Sequence, residues 1–241
     1  MVTLAEICTA MAAAEPVEYA AISTLNLYQS PACDGLVTQM ATGRQLRVVV
    51  PPDPDPQAIQ VCLCEDDYPG WVAVADLALL TVAAMPYQSK PVSAAEIQQR
   101  IPQVIAFAEA AMATPNEYLW GGTVAPNYDC SGLMQAAFGS VGIQLPRDAY
   151  QQEAFTQPVA MADLQLGDLL FFGTVEKTTH VALYLGEGRY LHSSGKDQGR
   201  NGIGVDSVWD LGDPVSDRYY RQWRRGGRVM QSYQPEGILP W

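Results

Sequence analysis

The sequence predicts an α+β fold, helices packed on an antiparallel sheet, preceded by a small all-β barrel. Three observations carry this. Short apolar runs separated by turn residues fill residues 18–83, helical spacing takes over from Ser93, and past Asp163 the period falls to two or the runs become wholly apolar.

The first runs are 19–27, 36–40, 46–50, 59–64 and 70–74. Pro51-Pro52-Asp53-Pro54-Asp55-Pro56 forbids regular structure between two of them, and the short spacing reads as a barrel over residues 1–85. Around Met85-Pro86-Tyr87 the pattern turns irregular and polar, so residues 86–100 are read as linker and helix start, and 101–241 as a second domain.

Ser93 with Glu96 three residues on is a capping box, and Ile97, Ile101, Val104, Ile105 and Ala108 follow at helical spacing. Pro102 costs least in the first turn of a helix, which is where it is expected. A second helix starts at Cys130, carries Leu133, Met134, Ala137, Phe138 and Val141 inward, and is expected to stop at Gly142. Strands follow at 168–172, 180–185 and 189–192, with Gly186-Glu187-Gly188 as a hairpin turn. Pairing about that turn sets His180 opposite His192 unless a bulge intervenes.

Composition excludes several functions. A net charge of −12 and a pI near 4.4 argue against a nucleic-acid partner. Five cysteines without C-x-x-C spacing fit neither a disulfide framework nor a zinc ribbon and suggest a reducing compartment. No basic leader opens the chain and no apolar run approaches the roughly 20 residues of a membrane span, so a cytoplasmic location without membrane contact is expected.

The chemistry centres on Asp129-Cys130-Ser131-Gly132 and the chain's two histidines, His180 and His192. A helix N-terminus and a nearby imidazolium both lower a thiol's pKa, so Cys130 reads as a nucleophile. His180 is the expected base and His192 the group that orients it, although a histidine stabilises an imidazolium less well than a carboxylate would. Backbone N–H groups at the helix start, and the Tyr118 hydroxyl, are candidates for an oxyanion. A zinc site from Cys130, His180 and His192 lacks a fourth ligand, and no metal or organic cofactor is expected.

Residues 100–228 resemble the NlpC/p60 family of papain-like cell-wall cysteine peptidases. The resemblance rests on Tyr118-Leu119-Trp120-Gly121-Gly122, Asp129-Cys130-Ser131-Gly132-Leu133, Leu166-Gly167-Asp168-Leu169-Leu170-Phe171-Phe172, His180-Val181-Ala182-Leu183-Tyr184-Leu185-Gly186 and Leu191-His192-Ser193-Ser194. Residues 18–83 look like a bacterial SH3-like barrel, through Leu25-Asn26-Leu27-Tyr28, Glu65-Asp66-Asp67-Tyr68 and Gly70-Trp71-Val72. The pairing is similar to endopeptidases that cut between the γ-carboxyl of D-glutamate and a diamino acid. That resemblance implies Cys130 as nucleophile, His180 as base, His192 as orienter, and a small murein peptide with a free N-terminal L-alanine as substrate.

An ammonium group needs carboxylate and hydroxyl acceptors, for which Asp129, Ser131 and Asp148 are candidates, with Tyr118 and Trp120 as subsite walls. Asp67 and Tyr68, on a barrel loop, are candidates to close the pocket, against the plainer reading of Glu65, Asp66 and Asp67 as a solvated acidic turn. Trp71 and Trp120 also read as core aromatics. The late cluster Arg218, Arg221, Arg224, Arg225 and Arg228 is assigned no function and is expected to balance Asp206, Asp210, Asp213 and Asp217. Two other functions stay open, a thiol acyltransferase on a similar fold and a non-catalytic wall-binding protein.

Overall fold

The structure is a computed structural model that describes residues 1–210 and 212–237. They form two compact units with separate cores, residues 1–89 joined by 234–237, and Lys90–Tyr233. Among the described residues no helix is long and apolar enough to cross a membrane.

The first unit opens with a helix that the sequence reading did not assign, α1 (Leu4–Ala12). It is set by a capping box in which the Thr3 hydroxyl accepts from the Glu6 N–H and the Glu6 carboxylate accepts from the Thr3 N–H. Ile7 is the helix residue buried in the core. The barrel strands are β1 (Glu18–Ala21), β2 (Leu25–Tyr28), β3 (Leu36–Met40), β4 (Gln45–Val48), β5 (Ala58–Leu63), β6 (Pro69–Ala73) and β7 (Leu80–Val82). They run in the order β3-β2-β6-β5-β4-β1-β7. The run 19–27 is two strands rather than one, because β1 pairs with β4 and β7 while β2 pairs with β3 and β6.

The acidic stretch before β6 is not a solvated turn. Glu65 and Asp66 are buried, and the Arg44 guanidinium pairs with them at 3.3 and 3.0 Å. Asp67 pairs with Arg47 and also accepts from the Gly237 N–H. Buried carboxylates persist only where cations and N–H donors offset their desolvation, and here two arginines from the β4 side supply that.

In the second unit, α2 (Ala94–Ala113) starts at the Ser93–Glu96 capping box as expected. Pro102 lies inside this helix rather than in a first turn. Its lost N–H and ring clash cost about 3 kcal/mol. The apolar face of Ile97, Ile101, Val104 and Ala108 runs continuously past it, and burial of such side chains at about 1.5–3 kcal/mol each outweighs that cost. A short hairpin, β8 (Thr123–Val124) and β9 (Asn127–Tyr128), leads into α3 (Cys130–Gly139). α3 ends three residues before Gly142, which takes its left-handed conformation in the following turn.

The remaining elements are α4 (Ala149–Phe155), β10 (Gln157–Val159), β11 (Leu169–Gly173), β12 (Thr178–Gly186), β13 (Arg189–Ser194), β14 (Gly202–Ser207), α5 (Pro214–Tyr220) and β15 (Trp223–Arg228). The sheet order is β10-β15-β11-β12-β13-β14. Alternate side chains divide between its faces: Leu169, Phe171, Val181, Leu183 and Leu191 pack with α2 and α3, while Leu170, Phe172, Ala182, Tyr184 and Tyr190 pack with Tyr219. In the β12–β13 hairpin Leu183 faces Leu191 and Tyr184 faces Tyr190, with a bulge before Gly186. Continuing that register sets His192 beside Ala182, so the histidines are diagonal neighbours on one face rather than direct partners.

The start of α3 is held by close backbone approach. The Asp129 N–H donates to the Gly122 carbonyl at 3.0 Å, and a Cβ at Gly132 would collide with that same carbonyl oxygen. Only glycine fits at residue 132. Gly132→Ala is expected to lower unfolding free energy by about 1–3 kcal/mol in urea titration, while Gly139→Ala, which meets nothing within 4 Å, is expected to be tolerated.

Candidate active site

Cys130 is the first residue of α3 and only 6% exposed. Asp129 caps the helix, its Oδ1 accepting from the Gly132 N–H at 2.6 Å. α3 packs against β12, where the backbone N–H of Val181, the residue after His180, donates to the Cys130 sulfur. Burial pushes the thiol up to about 12, and the Asp129 charge adds to the rise. The N–H groups of Val181 and Ser131 and the charge of Arg147 pull the other way without overcoming it.

The two rings form one hydrogen-bonded series. His180 Nε2 lies 2.7 Å from His192 Nδ1, and His192 Nε2 lies 2.6 Å from Asp206 Oδ2. Arg200 closes the series by donating to both Asp206 oxygens, from Nε at 3.2 Å and from Nη2. Burial works against the Asp206 charge, but the hydrogen bonds from His192 and Arg200 hold its pKa below the usual value. An ionised carboxylate only accepts, so His192 carries its proton on Nε2 and offers a lone pair at Nδ1. His180 therefore donates from Nε2, which leaves Nδ1 as its basic nitrogen.

Aromatic rings fix this orientation. Tyr219 stacks on His180 with centroids 4.4 Å apart and planes 29° apart, and its hydroxyl bonds the Ser194 hydroxyl at 2.6 Å. The Ser193 hydroxyl donates to the Tyr128 carbonyl at 2.6 Å, tying β13 to the residue before the Asp129 cap. Burial drives His180 well below its ordinary value, and the His192 charge acts in the same direction. His192 is lowered as well, burial outweighing the Asp206 hydrogen bond. Burial thus works against an imidazolium and a thiolate alike at this site.

The remaining candidates divide. Asp129 does not present free oxygens: they accept from the N–H groups of Gly121 and Gly132, the Ser131 hydroxyl and, at 3.2 and 2.6 Å, the Arg147 guanidinium. The Ser131 hydroxyl also accepts from Arg147 at 2.9 Å. Arg147, 1% exposed, thus ties both residues to the loop before α4. Removing either charge of such a buried pair strands the other, at about 3–5 kcal/mol. Asp148 is half-buried and caps α4. Tyr118 is half-buried beside Cys130 and Asp129, where burial raises its phenol pKa and their charges add to the rise. Trp120 is 72% exposed, which rules out a core role, and Trp71 is half-buried in β6. Asp67 and Tyr68 are half-buried in the first unit.

Sequence reasoning missed Asp206, Arg200, Arg147 and Tyr219. Asp206 was placed among acids balancing the late arginines, but it pairs with Arg200 and His192. Arg228 pairs instead with Asp168, and Arg224 and Arg225 with Glu153. Of the four acids named, only Asp217 pairs with a late arginine, Arg221. Among the described residues no group of three or more His, Cys, Asp or Glu side chains is arranged to hold a metal ion.

Comparison with known proteins follows the same division. The gamma-D-glutamyl-L-lysine dipeptidyl-peptidase of Bacillus subtilis is 44% identical over 79 residues, covering 32% of this chain and 27% of that protein. The bifunctional muramidase/DL-endopeptidase CwlT of the same organism is 39% identical over 90 residues, 36% of this chain and 27% of the relative. A probable endopeptidase p60 of Listeria seeligeri is 34% identical over 105 residues, 44% of this chain and 19% of the relative. The chain thus spans about a quarter or less of the length of these relatives. Residues 27–77 match the bacterial dipeptidyl-peptidase Sh3 domain and residues 115–226 match the NlpC/P60 family. The chain carries an NlpC/P60 domain and, ahead of it, a bacterial SH3 domain of the dipeptidyl-peptidase type.

Proposed function

We propose that the chain is a cysteine peptidase of cell-wall peptides. In the specific reading it hydrolyses the amide between the γ-carboxyl of D-glutamate and a diamino acid in short peptides with a free N-terminal L-alanine. The observation that carries this is the series Asp206–His192–His180, on a sheet whose strand β12 also donates a backbone N–H, from Val181, to the helix-start cysteine. The names of the matched relatives, a gamma-D-glutamyl-L-lysine dipeptidyl-peptidase among them, support the substrate class.

In this reading the reaction starts from the neutral pair. As the substrate carbonyl reaches Cys130, His180 Nδ1 takes the thiol proton and the sulfur attacks the carbonyl carbon. N–H groups at the start of α3 face the developing oxyanion. The new imidazolium donates from Nε2 to His192, and the Asp206 carboxylate behind it supplies the negative charge that a histidine alone lacks. His180 returns the proton to the departing amine, and water then cleaves the thioester to release L-alanyl-γ-D-glutamate. Asp206 and Arg200 act through His192 and are positioning residues. Asp129, Ser131 and Asp148 are the proposed acceptors for the substrate amine, with Tyr118 and Trp120 as walls of that subsite.

Cys130→Ala is expected to abolish release of dipeptide from L-alanyl-γ-D-glutamyl-diamino acid, with product masses separating hydrolysis from acyl transfer; full turnover by the variant defeats the reading. Asp206→Asn is expected to lower kcat by about ten- to a hundredfold with KM little changed. It also moves the acid limb of kcat/KM to lower pH, because loss of the negative charge makes both rings harder to protonate. In the native protein that limb is expected below pH 6.5, since burial depresses His180. Alkylation of Cys130 by iodoacetamide is expected to accelerate steadily toward alkaline pH, and a rate already at its plateau near pH 5 contradicts the neutral resting pair.

A further inference from the structure

β13 ends at Ser194, two residues past His192, and the chain turns at once through a short 3₁₀ segment, Lys196–Gln198. Left-handed Gly199 closes the turn, its N–H donating to the Lys196 carbonyl at 3.0 Å. The Arg218 guanidinium of α5 donates to the Asp197 carbonyl at 2.6 Å. These bonds hold the backbone of the turn and leave the Asp197 carboxylate to other partners.

That carboxylate folds back on Gly195. A Cβ built there would lie 2.6 Å from Asp197 Oδ1 and 3.6 Å from Tyr118 Cδ1, so the carboxylate and the Tyr118 ring border the same space. Asp197 also acts on Tyr219, the ring stacked on His180: burial raises that phenol against the Ser194 hydrogen bond, and Cys130 and Asp197 add to the rise. The carboxylates beside the nucleophile and the histidines are paired, Asp129 with Arg147 and Asp206 with Arg200. Asp197 is exposed and makes no ion pair among the described residues. Gln198 Nε2 donates to its Oδ2 at 2.6 Å, and among those residues Oδ1 accepts no hydrogen bond.

We infer that Asp197 is the acceptor for the side-chain ammonium of the diamino acid, a specificity role that rests on the peptidase reading above. The substrate carries two ammonium groups. Asp129, Ser131 and Asp148 are assigned to the N-terminal one, and the one on the diamino acid has no acceptor among them. The leaving amine takes its proton from His180, so the diamino acid departs on the His180 side of the nucleophile, and the ring that covers His180 is the one on which Asp197 acts. The four-carbon stem of a lysine reaches about 6 Å from its α-carbon, which suits a carboxylate at the rim, with the Tyr118 ring beside it to cover the methylenes. Lys196, next in the chain, is also exposed and without an ion pair, so the turn offers one charge of each sign to a leaving residue that has one of each.

Calorimetric titration of the Cys130→Ala protein at low salt tests this with three probes: L-alanyl-γ-D-glutamyl-L-lysine, the same tripeptide with norleucine in place of lysine, and the lysine tripeptide N-acetylated. The lysine peptide is expected to bind about three- to fivefold more tightly than the norleucine peptide, a difference that shrinks at high salt. Adding Asp197→Asn is expected to bring the two to parity while affinity for the norleucine peptide holds, and Asp197→Lys to invert their order. Lysine and norleucine bound alike, neither bound, or a preference that survives Asp197→Asn overturns the assignment. So does an effect of Asp197→Asn confined to the cost of N-acetylation, which gives Asp197 to the alanyl amine instead. Hydrolysis is followed separately with Cys130 intact: a lysine preference that depends on Asp197 without cleavage of any peptide defeats the peptidase reading and not the ammonium site.

Discussion

A carboxylate accepts hydrogen bonds and donates none, and from that constraint at Asp206 the protonation of the whole site follows. The proton of His192 is held on the nitrogen facing Asp206, its other nitrogen must accept, and His180 must donate to it. The one ring nitrogen left with a lone pair is Nδ1 of His180. Arg200 keeps the carboxylate ionised, and the stacked Tyr219 ring keeps His180 from rotating out of the series. Burial then sets the energetics, because it disfavours charge on both rings and on the sulfur.

A second buried charge pair places the nucleophile. Arg147 and Asp129 join the loop before α4 to the cap of α3, and Gln152 of α4 donates to the Ser131 carbonyl at 3.1 Å. The residues flanking Cys130 therefore hold the first turn of α3 in place. Gly132 serves the same end by admitting the Gly122 carbonyl. The precision of the site comes from these contacts, because a nucleophile displaced by an ångström loses much of its advantage.

Much of this was legible in the sequence. Alternation and capping located the barrel strands, α2 and the hairpin that carries the histidines, and Asp129-Cys130-Ser131-Gly132 marked the helix start. α1 carries the same Thr-x-x-Glu signal as α2 and was readable from Thr3 and Glu6. Pro102 misled because local cost was weighed without the buried face that offsets it. The hairpin register was spoiled by a bulge beside Gly186, which no pattern of apolar residues encodes. Asp206 was invisible for a deeper reason: it reaches His192 across the pairing of β13 with β14, and that adjacency is a property of the sheet rather than of any spacing along the chain.

Because the chain has only two histidines, ring-nitrogen resonances of the protein labelled with ¹⁵N-histidine report on this series without ambiguity. At pH 7 both rings are predicted to be neutral and protonated on Nε2, with His180 Nδ1 and His192 Nδ1 showing the shifts of unprotonated nitrogen. A His180 ring protonated on Nδ1, or on both nitrogens, contradicts the account, since it leaves no base facing Cys130.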